Sequence, residues 1–270
     1  MFGLVLRMPT IRDFATAKAQ NKKIVVVTSY DAWSARLLAE TAVDCLLVGD
    51  SVMMVVHGER DTLGATVELM ALHTRAVARG APEKLIVADF PFLAARQGSA
   101  VALDCAARLM RSGAHAVKIE GIRGHDDVVR HLVQSGVPVM GHLGLQPQSV
   151  HALGGYVVQG REPAVAQQLR EDAAALEQAG AFSIVLECIP AKLAREITAE
   201  RSIPTIGIGA GPDCDGQVLV LQDLLGLNPQ FKPRFVRTFV DGTGKLRDGI
   251  NGFATAVREG TFPSAKESFK

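Results

Sequence analysis

Short apolar runs rich in valine and isoleucine recur eight times along this chain, each parted from the next by a longer segment of mixed polarity. This alternation limits the fold more than any other feature. The runs are Ile24–Thr28, Cys45–Val48, Leu85–Ala88, Ala116–Ile119, Val137–Met140, Ser183–Leu186, Thr205–Ile208 and the weaker Val218–Leu221. Runs that are apolar nearly throughout read as parallel strands covered on both faces. The segments between them carry a helical period. Val101, Cys105, Ala106, Leu109 and Met110 share a face, with Ser99 as the expected N-cap. Pro163 suits a first helical turn, and Val165, Leu169, Ala173 and Leu176 follow it on one face. Gly80, Gly113, Gly136 and Gly180 precede strands, where glycine can take the left-handed conformation that stops a helix. Spread over 270 residues, eight repeats leave about 34 residues each, the size of a strand–helix unit with its loops. The expected class is α/β, a closed (β/α)8 TIM barrel as a single domain over residues 9–263, with an N-terminal extension over 1–8 and a tail over 264–270. An open doubly wound sheet is the alternative. Met8-Pro9-Thr10 reads as the better natural beginning.

Charge and cysteine usage narrow the partners. Lys and Arg total 29 against 28 acidic residues, so the broad basic excess of a nucleic-acid binder is missing and no nucleic acid is expected. No apolar run approaches the ~20 residues of a membrane span, and the first residues lack the basic region and cleavage site of a signal peptide. Cys45, Cys105, Cys188 and Cys214 are far apart and form no CxxC pair. They read as reduced core residues of a cytoplasmic protein.

In a barrel of this kind the site lies at the C-terminal ends of the strands. Those ends carry Asp50 and Ser51, Asp89, Lys118 and Glu120, His142, and Glu187, with Gly207–Gly211 after the seventh. Lys118 and Glu120 are two apart and face one side, as does the small Ala116, while Val117 and Ile119 face the helices. One acidic residue after a strand is usually a cap or a solvated loop position. Four on five consecutive strands, against one lysine, make a local formal charge of −3 that needs a counter-charge. Carboxylates favour a hard divalent ion such as magnesium. The glycine-rich stretch 207–211 suits either a phosphate or a tight turn with room for a bulky ligand. His57, His73, His115, His125, His131 and His151 have no metal-type spacing.

Many ordered segments resemble the ketopantoate hydroxymethyltransferase family, from about Pro9 to near Pro263. They include Thr28-Ser29-Tyr30-Asp31, Val48-Gly49-Asp50-Ser51, Ala88-Asp89, Val117-Lys118-Ile119-Glu120-Gly121, Gly141-His142-Leu143-Gly144-Leu145, Pro147-Gln148-Ser149, Gly154-Gly155-Tyr156 and Leu186-Glu187-Cys188. The resemblance implies a barrel of the phosphoenolpyruvate/pyruvate superfamily, assembled as a homo-oligomer, usually a decamer. It implies transfer of a hydroxymethyl group from 5,10-methylenetetrahydrofolate to 3-methyl-2-oxobutanoate through a magnesium-stabilised enolate, giving 2-dehydropantoate. Position by position, Asp50 and Asp89 match the family's magnesium ligands, with Glu120 a further acidic residue at the metal. Ser51, Asp89 and Lys118 match positions that hold the 2-oxo acid, His142 lies near the product, and Glu187 matches the catalytic base.

Two stretches depart from the pattern, both in the excursion after the second strand. Where the family commonly continues Leu-Gly-Met, this chain has Val52-Met53-Met54. Where Thr-Leu-Pro-Val-Thr is usual, it has Thr62-Leu63-Gly64-Ala65-Thr66. Closure over the site and substrate selectivity are the properties these changes would touch. Two rival readings stand beside the transferase. One is a magnesium-dependent lyase on a 2-oxo acid, whose usual Lys-Lys-Cys-Gly-His lid motif is absent here. The other is a non-catalytic folate- or oxo-acid-binding paralogue.

Overall fold

The computed structural model describes residues 9–269; the expected N-terminal extension over residues 1–8 lies outside them. Eight parallel strands close into a barrel in chain order. They are β1 (Ile24–Thr28), β2 (Cys45–Val48), β3 (Leu85–Asp89), β4 (Ala116–Glu120), β5 (Val139–Gly144), β6 (Ser183–Glu187), β7 (Thr205–Ile208) and β8 (Gly216–Leu219). Closure is complete, since β8 pairs with β1 through Ile24 opposite Gly216. Helix α1 (Ile11–Ala19) precedes the barrel. Helix α2 (Ala32–Ala39) follows β1, the short α3 (Val52–Val55) and α4 (Val67–Gly80) follow β2, and α5 (Ser99–Arg111) follows β3. After β4, β5 and β6 come α6 (Asp126–Gln134), α7 (Pro163–Gln178) and α8 (Ala191–Glu200).

Why these runs form strands is visible in their burial. Ile24, Val26, Cys45, Leu47, Leu85, Val87, Ala116, Met140, Val185, Ile206 and Val218 form one buried cluster in the barrel interior, with Phe14 of α1 packed against it. The alternate residues face the helices and are buried too, as Leu46, Ile86, Val117 and Ile184 show. Each such side chain is worth roughly 1.5–3 kcal/mol of burial. Interior positions recur with period two. The same alternation that buries Val87, Ala116, Met140 and Val185 therefore points Asp89, Lys118, Glu120, His142 and Glu187 inward one or two steps later.

The structure corrects several local expectations. β5 starts at Val139 rather than Val137, because the Val137 N–H closes the end of α6 on Leu132 O and Pro138 has no N–H to give. β8 is shifted to begin at Gly216. No helix joins β7 to β8: Gly209 and Gly211 take positive φ in a tight loop, and Gln217 Nε2 donates to Gly211 O at 2.9 Å, which favours the turn reading of this glycine-rich stretch. Ser99 is the first residue of α5, capped by Gly98, and the helix buries Ala102, Cys105, Ala106 and Leu109 while Val101 stays exposed. Gly113, Gly136 and Gly180 have positive φ as expected. Gly80 does not; it is small because a Cβ there would lie 2.4 Å from Ala32 O, so it allows α2 and α4 to touch.

The chain divides after Val220 into two compact units. The first contains the whole barrel, whose last strand ends at Leu219. The second has helices as its regular elements: the short α9 (Leu221–Leu224) and α10 (Gly242–Arg258). All four cysteines are buried and free.

Candidate active site

Strand register decides which polar side chains become neighbours. Asp89 pairs with Lys118 across β3 and β4, and Glu120 pairs with His142 across β4 and β5. Glu187 lies opposite Gly144 on the next strand. Gly144 has φ +93°, and a Cβ there would sit 2.1 Å from Glu187 O, so no other residue could occupy the position without pushing β6 away. The residue after Glu187, Cys188, has φ +46°, uncommon for a non-glycine, and this turns the chain directly behind the carboxylate.

The resulting cluster is buried and tightly connected. Asp50, Asp89, Lys118, Glu120 and His142 are all buried, while the Glu187 side chain keeps 16% exposure at the rim. Lys118 Nζ lies 3.2 Å from Asp89 Oδ1 and 3.1 Å from His142 Nδ1. His142 Nε2 lies 3.1 Å from Glu187 Oε2. The Asp50 N–H donates to Asp89 Oδ2 at 3.0 Å. Ser51 Oγ is 2.8 Å from the hydroxyl of Tyr30, a fully buried residue at the end of β1. All seven side chains read as site residues from the sequence thus gather at one end of the barrel.

Two further residues join them that the strand-end reading did not assign. Tyr30 is one. Gln148 is the other: its side-chain amide donates to Asp50 Oδ2 and to Phe90 O, both at 2.7 Å, and its backbone N–H donates to Glu120 Oε2 at 3.1 Å. Both residues lay within segments that resembled the family, yet neither residue type announces acid–base or ligand chemistry.

The electrostatics follow from burial of like charges. Burial raises the Asp50 carboxyl well above the ordinary range, with Asp89 and Glu120 adding to it and Lys118 and Gln148 opposing. Asp89 is raised by burial and held back chiefly by Lys118. Burial works against the charge of Lys118, but Asp89, Glu120 and Asp50 outweigh it and raise its pKa. At His142 burial and the Lys118 charge act downward; the contacts with Glu120 and Glu187 prevail and carry the imidazole up to about 9.

Do these groups suit a divalent cation? Asp89 Oδ1 and Glu120 Oε1 are buried and lack a well-directed hydrogen bond, although Asp89 Oδ1 is within ion-pair distance of Lys118. Open carboxylate oxygens in a buried site are what a hard cation would use. Among the described residues no three His, Cys, Asp or Glu side chains close into a cage. A cleft of about 220 Å³ lined by Phe14, Lys23 and Asp44 opens at the opposite end of the strands.

Comparison with known proteins identifies the family. Residues 8–265 match the family model described as ketopantoate hydroxymethyltransferase. A 3-methyl-2-oxobutanoate hydroxymethyltransferase of Bdellovibrio bacteriovorus is 53% identical over 262 residues, covering 97% of this chain and 100% of that protein. One of the same name from Coxiella burnetii is 50% identical over 252 residues, covering 93% and 95%. Among solved structures, a phosphonopyruvate hydrolase in complex with oxalate and Mg++ superposes with a TM-score of 0.62 at 12% identity over 96% of this chain and 93% of that one. A 2,3-dimethylmalate lyase of the PEP mutase/isocitrate lyase superfamily gives 0.60 at 17% identity, over 96% and 91%. At such identities these two speak for the barrel alone. With a family model spanning nearly the whole chain and relatives identical at half their positions, the chain belongs to the ketopantoate hydroxymethyltransferase family.

Proposed function

We propose that the protein transfers a hydroxymethyl group from 5,10-methylenetetrahydrofolate to 3-methyl-2-oxobutanoate, giving 2-dehydropantoate and tetrahydrofolate. The observation that carries this reading is the buried cluster of Asp50, Asp89 and Glu120 around a charged Lys118, with Glu187 at its rim. Asp50 and Asp89 would hold magnesium, and Glu120 would act at its edge. When bound, that ion supplies a Lewis acid for the carboxylate and oxo oxygens of the substrate.

The chain's own residues supply the rest. Ser51 Oγ, oriented by Tyr30, is a neutral hydrogen-bonding group for the 2-oxo acid. Lys118 places fixed positive charge where negative charge grows on the oxo oxygen. Glu187 accepts the proton from C3 as that C–H bond breaks. The His142 imidazole lies beside the base, with Nε2 3.1 Å from Glu187 Oε2. The C3 carbon then bonds to the one-carbon unit of the folate. Water furnishes the hydroxyl oxygen as tetrahydrofolate leaves, so the product gains one CH2O in total. Folate carries the one-carbon chemistry, and the protein contributes position and charge.

Two coarser features accompany this reading. Cytoplasmic location is supported by four free, buried cysteines and by the lack, among the described residues, of a helix long and apolar enough to cross a membrane. Assembly into a homo-oligomer, a decamer by resemblance, is supported by the exposed apolar row along α10. The reaction is tested by incubating the protein with 3-methyl-2-oxobutanoate in D2O, with magnesium or with EDTA, and following the C3 proton. Exchange is expected only with the metal, and Glu187→Gln should abolish it. Adding methylenetetrahydrofolate should then give dehydropantoate. Exchange without product points to the lyase chemistry, and no exchange in the wild type sinks the enzymatic reading.

A further inference from the structure

We infer that Gln148 is a positioning residue that turns the site's carboxylates into one-oxygen ligands and so biases it toward magnesium over larger divalent ions. This rests on the magnesium reading above and goes one step beyond it. Gln148 lies in a short 3-10 turn, Pro147–Ser149, just past β5. Both partners of its Nε2 are acceptors, Asp50 Oδ2 and Phe90 O, so the orientation of the amide is settled by its hydrogen bonds. The two N–H bonds of that nitrogen are both used. The backbone N–H of the same residue takes Glu120 Oε2. Asp89 Oδ2 takes the Asp50 N–H.

One oxygen on each of the three carboxylates is therefore tied to a fixed N–H donor, and Gln148 provides two of the three donors. The oxygens left over are Asp50 Oδ1, Asp89 Oδ1 and Glu120 Oε1. The second and third are buried without a directed hydrogen bond, Asp89 Oδ1 facing Lys118 Nζ at 3.2 Å and Glu120 Oε1 facing His142 Nδ1 at 3.5 Å. A carboxylate with one oxygen occupied cannot readily offer both to a cation. Calcium gains from bidentate carboxylates because it takes six to eight oxygens at ~2.3–2.6 Å, whereas magnesium wants single oxygens at ~2.0–2.1 Å and keeps its waters. Tying one oxygen of Asp50 and one of Glu120 penalises the larger ion. The link to Phe90 O ties the same amide to the end of β3, so Asp50 and Asp89 are held in register with it.

The test is calorimetric titration of the metal-stripped full chain with MgCl2 and, separately, CaCl2. Gln148→Met keeps the length and lacks both side-chain donors; Gln148→Glu keeps the shape and cannot donate. Unfolding in EDTA checks that each is folded. The wild type should prefer magnesium. In both variants magnesium affinity should fall about 10- to 100-fold, the usual cost of losing a group that orients metal ligands. Calcium affinity should fall less, so the magnesium-to-calcium ratio drops at least several-fold. A merely structural role would lower both affinities together and leave the ratio alone. Folded variants that keep the wild-type ratio overturn the role of Gln148 while leaving the metal site standing. A wild type that binds neither ion overturns the magnesium reading itself.

Discussion

Two carboxylates press on one imidazole in this barrel. Glu120 and Glu187 raise His142 to about 9, against burial and the nearby Lys118. In the unfolded chain a histidine titrates near 6.5. The folded state therefore holds this proton more tightly, and its stabilisation is fully present below about 6.5 and lost as pH rises through about 9. Chemical denaturation in EDTA across that window should show stability falling with pH, by something on the order of 3 kcal/mol. His142→Gln should flatten that part of the profile; an unchanged slope in the variant would assign the loss to other groups. The residues of this cluster were legible in the sequence because strands have period two. Once Val87, Ala116, Met140 and Val185 are read as interior, Asp89, Lys118, Glu120, His142 and Glu187 must face the same axis. Tyr30 and Gln148 were not legible in that way. Gln148 reaches Asp50 across 98 positions of sequence, and no spacing rule encodes such a contact.

The elements read from the sequence were those whose apolar runs are covered on both sides, and the errors fall where one local group has another task. Pro138 delayed β5, and the tight loop after β7 left no room for a helix. The excursion after β2 shows a different limit. Its two departures from the family pattern lie eleven residues apart in sequence and looked independent. In the fold they touch. Met53 is buried in α3, and a Cβ on Gly64 would meet the tip of its side chain at 3.0 Å. The larger residue at 53 occupies the room that a side chain at 64 would need. A double-mutant cycle expresses this. Gly64→Ala alone should be close to neutral, since the lower unfolded-state entropy, worth ~0.4–1 kcal/mol, is offset by crowding of Met53. In a Met53→Gly background, itself destabilised by roughly 2–5 kcal/mol, the same change should stabilise. The coupling should be about 0.5–1 kcal/mol by urea unfolding of all four proteins, and additivity within about 0.3 kcal/mol would remove the argument.

At the scale of the whole molecule, the barrel accounts for its own burial but the second unit does not. Helix α10 has no buried residue over its seventeen positions. Leu246, Ile250, Phe253 and Val257 recur at the spacing of one helical face, and each is exposed by 47–67%. A polar helix would need no partner, but a row of four large apolar side chains on one face is the pattern of a surface that is covered in the working molecule. The homo-oligomer proposed from family resemblance provides a cover of the right chemistry, a second copy of the chain, and closed symmetry would place the same row at every interface of that type. Placing a charge in the middle of the row should then separate copies without disturbing the barrel. Ile250→Asp and Phe253→Asp are expected to shift the mass measured by light scattering from an oligomer to a smaller species at micromolar concentration. Because α10 lies outside the unit that contains the barrel, far-ultraviolet circular dichroism and magnesium binding should stay near wild type. A monomeric wild type, or variants that keep the wild-type mass, would show that this row is not what holds the copies together.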